Sequence, residues 1–108
     1  MVQVKVVELR ERSSDNTVVP LIRFVLTDEG IVRVVELATN ALVLVEQPIQ
    51  RGIPGRDRLL RLQDGIKFLE RLPQLYSGTS LWATEVFEME EDQALKGHDE
   101  NRAERGAS

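Results

Sequence analysis

The chain has 108 residues, 14 Lys and Arg against 18 Asp and Glu, and 42% apolar residues, which suits one small domain and excludes a chain disordered throughout. With no cysteine, disulfide staples, thiolate zinc sites and cysteine nucleophiles are excluded together; a single histidine, His98, leaves histidine metal sites and serine triads short of parts. Residues 1 to 87 are neutral, and the whole net charge of −4 lies in residues 88 to 108, so the body has no electrostatic footprint for nucleic acid or an anionic membrane.

The first residues, Met1-Val2-Gln3-Val4-Lys5, form no basic segment leading into an apolar run, and the longest unbroken apolar stretch is Ala41 to Val45. A soluble, cytoplasmic protein is the expectation.

Alternation of Val2, Val4 and Val6 with Gln3 and Lys5 predicts a strand over residues 2 to 10. Glu11 to Thr17 is polar and reads as a loop. From Val18 the apolar residues alternate again as far as Thr27, and after Asp28-Glu29-Gly30 the run Ile31 to Leu37 resumes the pattern. A three-residue hairpin loop needs positive φ at its last position, which Gly30 supplies without a Cβ clash. Pairing Thr27 with Ile31 places Leu26 opposite Val32 and Phe24 opposite Val34, with Arg23 and Arg33 together on the other face. Pro20 cannot donate to a ladder, so its end of the strand belongs at an edge or a strand start.

Residues 38 to 51 admit two readings. As a short helix, the favoured one, Thr39 or Asn40 caps it and Leu42, Val45 and Ile49 form its buried stripe; as a strand, Val43 and Val45 fit better. Pro48 opposes a continuous helix. A Gly- and Pro-rich loop follows over 52 to 57, then a short apolar run, Leu59 to Leu62, that reads as a small strand. Asp64 is placed to cap a helix whose stripe is Ile66, Leu69 and Leu72 beside Phe68, ended by Pro73. Thr79 to Met89 reads as a strand apolar on both faces, hence central or covered.

These elements predict an α+β fold: a mostly antiparallel sheet of four to five strands with one or two helices packed on one face. The domain is expected to span residues 1 to 89. Residues 90 to 108, in which Leu95 is the sole large apolar residue after Glu90, read as an acidic disordered tail.

Four arginines near one loop, Arg51, Arg56, Arg58 and Arg61, form a candidate anion site, because guanidinium forks bind phosphate and glycines let the backbone approach. The lysine and hydroxyl residue of a phosphate loop are missing, and a solvated surface turn explains the same residues. Tyr76, Ser77, Ser80 and Trp82 can line a ligand, yet turn residues leading into a strand whose tryptophan is core account for them and are the favoured reading, and neither serine has a nucleophile's context. Asp57, Asp64 and Glu70 read as helix capping and surface pairing rather than an acid and base pair.

The segment Asp64-Gly65-Ile66-Lys67-Phe68-Leu69-Glu70-Arg71-Leu72, followed by Tyr76-Ser77-Gly78-Thr79-Ser80-Leu81-Trp82-Ala83-Thr84, resembles a pattern of small uncharacterised bacterial proteins. In it, an aspartate-glycine pair opens a helix of form F-L-x-x-L and a glycine turn leads into the last strand. The resemblance implies a bacterial protein of unknown function and supplies no catalytic residue.

The expectation is therefore a non-catalytic protein-protein interaction or accessory module, not an enzyme, with no cofactor and no metal. Its interaction surface is expected at Val19, Leu21, Val25, Ile31 and Val35, the second apolar face of the hairpin. A helix or another chain must cover that face, and self-association as a homo-oligomer is one way to do so. An anion- or nucleic-acid-binding module using loop 51 to 61 is the alternative. No membrane partner is expected.

Overall fold

The computed structural model describes residues 2–45 and 57–97. Its frame is a five-stranded antiparallel sheet of β1 (Gln3–Arg12), β2 (Val18–Leu26), β3 (Val32–Glu36), β4 (Leu81–Ala83) and β5 (Phe87–Glu90). The order is β3-β2-β1-β4, with β5 beside β4 on the same side of β1. Two helices complete the α+β fold, α1 (Arg58–Leu75) and α2 (Glu91–Ala94), besides a 3₁₀ turn at Ala41–Leu44. β1 is the central strand because it is apolar on both faces: Val4 and Val6 point one way, Val7 and Leu9 the other, and all four are buried.

The β2–β3 hairpin has the expected register, with Leu26 opposite Val32 and Phe24 opposite Val34. The Thr27 amide donates to the Ile31 carbonyl at 2.8 Å, the Gly30 amide donates to the Thr27 carbonyl at 3.0 Å, and Gly30 has φ +84°. A Cβ on Gly30 would stand 2.6 Å from the Arg61 Cβ and 3.2 Å from the Leu62 amide nitrogen, so the turn is also where α1 packs down. Gly30→Ala is expected to cost about 2 kcal/mol, from the left-handed φ and the displaced helix together. Urea unfolding measures it; a loss below about 0.5 kcal/mol, the range of neutral surface changes, means the helix start yields freely.

The β1–β2 turn is tied by Asp15, whose carboxylate accepts from the Ser13 hydroxyl and, at 3.0 Å, from the Thr17 amide. The Ser13 bond first, then the Thr17 amide, lower the Asp15 pKa from 3.8 to about 2. Because the folded value is depressed, this tie is fully in place above pH 3.8 and is lost as pH falls through about 2. NMR titration of the carboxyl carbon should show the low midpoint, and Ser13→Ala should raise it; an ordinary midpoint in the parent chain means that the tie does not form in solution.

Two register shifts decide which face each residue meets. Leu9 pairs with Ile22 but Arg10 with Pro20, so Leu21 is an extra residue in β2, and its carbonyl accepts the Leu37 and Ala38 amides. β3 stops at Glu36, opposite Ile22, so no β3 residue beside Pro20 asks for its missing N–H. On the other side of β1, Leu9 pairs with Ala83 but Val6 with Phe87, which inserts one residue between β4 and β5. The run Thr79 to Met89 is thus two edge strands and not one central strand. Leu81, Ala83 and Val86 meet the first core, while Phe87 and Met89 meet the second.

The first core lies between the sheet and α1, where Val7, Leu9, Ile22, Phe24 and Leu26 meet Leu69 and Leu72. Phe24 and Phe68 contact edge to face with centroids 6.2 Å apart. Gly65 lets α1 approach β2, since a Cβ there would fall 2.3 Å from the Leu26 Cδ1. The helix starts a full turn and more before Asp64. Its cap is Asp57, whose carboxylate accepts the Leu59 amide at 2.7 Å, so Leu59 to Leu62 are helical rather than a small strand. Leu62, Ile66, Leu69 and Leu72 continue one stripe at helical spacing, a pattern that overrides the short apolar run. Pro73 does not end the helix. Only the bond to the Leu69 carbonyl is lost in the last turn, and the Tyr76 amide still reaches the Leu72 carbonyl at 2.9 Å.

Within 38 to 51, the expected helix shrinks to the 3₁₀ turn. Asn40 stands at its N-cap with φ 60° and makes no side-chain cap bond, and Ala41 rather than Leu42 is buried. Val45 packs partly against the first core, while Ile49 and Pro48 lie outside the described residues.

The second core covers the opposite face of the sheet. Val4, Val6, Val25 and Val35 lie beneath Ala94 and Leu95, carried there by α2 directly after β5. The packed domain therefore extends to Gly97 and does not stop at residue 89. One small residue, fully buried Ala94, suffices to seat a single helical turn on a valine surface, which a search for a full helix stripe overlooks.

Candidate functional site

The sites expected from the sequence are dispersed by the fold. Arg51 and Arg56 lie outside the described residues. Arg58 and Arg61 stand in the first turn of α1 and hold the β2–β3 turn. Arg58 donates to the Asp28 carbonyl and carboxylate at 2.8 and 2.9 Å, and Arg61 to the Glu29 carbonyl at 2.9 and 3.1 Å. Of the expected interaction surface, Val25 and Val35 are buried in the second core, covered by the chain's own α2 segment. Leu21, carried across by the bulge, is buried in the first core instead. Ile31 is half-buried at the hairpin turn, and Val19 is exposed. The Tyr76 ring packs on the first core, and Ser77 and Ser80 are exposed turn residues. Asp57 caps α1, and Glu70 is on its exposed face.

What the fold assembles instead is a charged row on the second face. Cross-strand pairing puts Glu8 opposite Arg23, and Arg10 opposite Trp82. The Glu8 side chain is 8% exposed, and each of its oxygens meets one guanidinium. Oε1 accepts from Arg10 Nε and Nη2 at 3.0 and 2.8 Å; Oε2 accepts from Arg23 Nε at 3.0 Å and lies 2.9 Å from its Nη2. The remaining Arg23 nitrogen, Nη1, donates to the Gln93 and Ala94 carbonyls at 3.2 and 3.1 Å, so Arg23 ties the end of α2 to the sheet. Thr84 completes the surroundings: its hydroxyl accepts the Glu8 amide at 3.0 Å, and its amide donates to the Glu8 carbonyl at 2.8 Å.

With both oxygens engaged by guanidinium groups, the Glu8 carboxylate clamps β1 to β2 and, through Arg23, to the end of α2. Among the described residues, no group of three or more His, Cys, Asp and Glu can hold a metal ion. No helix described is long and apolar enough to cross a membrane.

Among the described residues, Trp82 belongs to neither core; it is half-buried, with the Arg12 guanidinium 5.2 Å from its ring centroid. Pro20 and Val18, opposite Arg10 and Arg12 on β2, are exposed across β1 from it. Leu81 and Ala83, which alternate with Trp82 along β4, meet the first core, so the tryptophan side of the strand is the other one. The chain matches no protein-family model, no curated protein and no solved structure at a significant level.

Proposed function

We propose that this chain is a non-catalytic protein-protein interaction or accessory module of the cytoplasm, and that its contact surface is the end of the second sheet face around Trp82. The observation that carries this reading is the tryptophan that neither core claims, flanked by Arg10 and Arg12, with exposed Pro20 and Val18 across β1. Tryptophan and arginine dominate binding energy at protein interfaces, the first through a large rigid ring and the second through a planar fork of several donors. The surface first expected, Val25 and Val35, is replaced here, since the chain covers it itself. A fold held by ion pairs and two apolar cores, without disulfides, suits a reducing compartment.

A photo-crosslinking residue placed at Val18 tests the reading in cells of the source organism. Proteins are expected to be captured by the parent chain and lost from a Trp82→Ala variant that still folds. Capture that is indifferent to Trp82, or none at all, removes this surface as the contact.

A further inference from the structure

Resting on that reading, we infer that the Trp82 surface takes an acidic, extended polypeptide segment of a partner protein. The charged side chains on this face of β1 and β2 are Glu8, Arg10, Arg12 and Arg23, three guanidinium groups against one carboxylate; two of them, Arg10 and Arg23, hold Glu8 and the third, Arg12, lies over Trp82, an excess of two positive charges. Arg23 is turned inward by the clamp, so the excess is presented outward by Arg10, whose side chain is 36% exposed, and by Arg12. Glu11, between them in sequence, pairs with Leu81 and Val19 and so points to the opposite face.

The spacing favours a particular partner geometry. Arg10 and Arg12 stand two residues apart on one strand face, roughly 7 Å along β1, the repeat of alternate side chains in an extended chain. Carboxylates at every second position of such a segment meet Arg10 at Nη1, the nitrogen that the Glu8 clamp does not use, and the Arg12 guanidinium, while an intervening side chain lies by Trp82. A nucleic-acid strand fits less well. One aromatic ring, already covered on one side by Arg12, offers a poor stacking platform, and two outward cations make no track along a phosphate backbone.

Trp82 is the only tryptophan in the chain, so its fluorescence reports on this site alone. The full chain is titrated with a twelve-residue peptide of alternating glutamate and serine, its glutamine counterpart, and a twelve-nucleotide uridine RNA, with light scattering alongside. A saturable change with the glutamate peptide alone, weakened by salt and reduced about tenfold in affinity by Arg12→Ala, is expected. Arg12→Lys should recover part of it, since it keeps the charge without the fork. If the glutamate peptide leaves the signal unchanged while Trp82-dependent crosslinking persists, the acidic partner is wrong and the interaction surface stands. Equal binding of the glutamine peptide also overturns the proposal, as does tighter binding of the RNA. A signal that tracks protein concentration with a doubled mass assigns the surface to a second copy and overturns it too. Loss of both peptide signal and crosslinking removes the two readings together.

Discussion

Replacing Glu8 by alanine is expected to destabilise the fold by about 3–5 kcal/mol, the cost of leaving a buried guanidinium without its counter-charge. Arg23, 13% exposed on its side chain, would keep only the Gln93 and Ala94 carbonyls, and both donors now aimed at Glu8 would face a gap between strands. Arg10 is more exposed and can turn to solvent, so the loss falls mainly on Arg23. Glu8→Gln keeps the shape and one good acceptor, and should cost less than the alanine variant. Urea unfolding of the two variants and the parent measures both. A loss under about 1 kcal/mol for Glu8→Ala, the level of an exposed ion pair, would show that water reaches Arg23 and that the clamp adds little. A double-mutant cycle with Arg23→Ala separates the pair from its surroundings, because the two single losses should fail to add.

The second large effect concerns the end of the domain. A chain ending after Glu90 should be about 3 kcal/mol less stable than one ending after Gly97, and should bind an apolar dye that the longer chain does not. Removing α2 and Leu95 exposes Val4, Val6, Val25 and Val35 and takes away two acceptors of Arg23, each worth about 1 kcal/mol. Gly97, whose Cβ position lies 3.0 Å from the Glu36 carbonyl oxygen, marks where this segment arrives beside β3. Equal denaturation midpoints for the two truncations would mean that the second core does not depend on α2. The stability of the valine surface would then have to come from another cover.

The hairpin of β2 and β3 was legible to the residue because two independent constraints agree on it: glycine where the loop needs positive φ, and a register that segregates Phe24 and Leu26 from Arg23 and Arg33. β1 was legible for a related reason, since alternation of small β-branched residues has few other structural uses. α1 was only half legible. Its stripe begins at Leu62, but Leu59 and Leu60 blur the period, and both a better-looking cap at Asp64 and the rule against internal proline pulled its ends inward.

The candidate site was least legible, and the cause is register. Whether Leu21 joins the first or the second core, and whether Phe87 shares a face with Ala83, turns on one extra residue in β2 and one between β4 and β5. The insertion between β4 and β5 has no glycine or proline to mark it, and Pro20, beside the β2 bulge, marks an irregularity without telling an edge or strand start from an extra residue. The meeting of Glu8 with Arg23, fifteen positions away, follows from strand pairing, and that of Arg23 with the Ala94 carbonyl, seventy-one away, from the packing of α2 on the second face.

By itself the sequence determined the class of fold, the β2–β3 hairpin, the absence of cysteine chemistry and the uneven placing of charge, because each is a property of local period or of composition. Tertiary structure decided that the second valine face is sealed by α2, that Glu8 is locked between two arginines, and that Trp82 is left outside both cores. Those outcomes rest on contacts between residues far apart in the chain, whose energies depend on a register that no local pattern records.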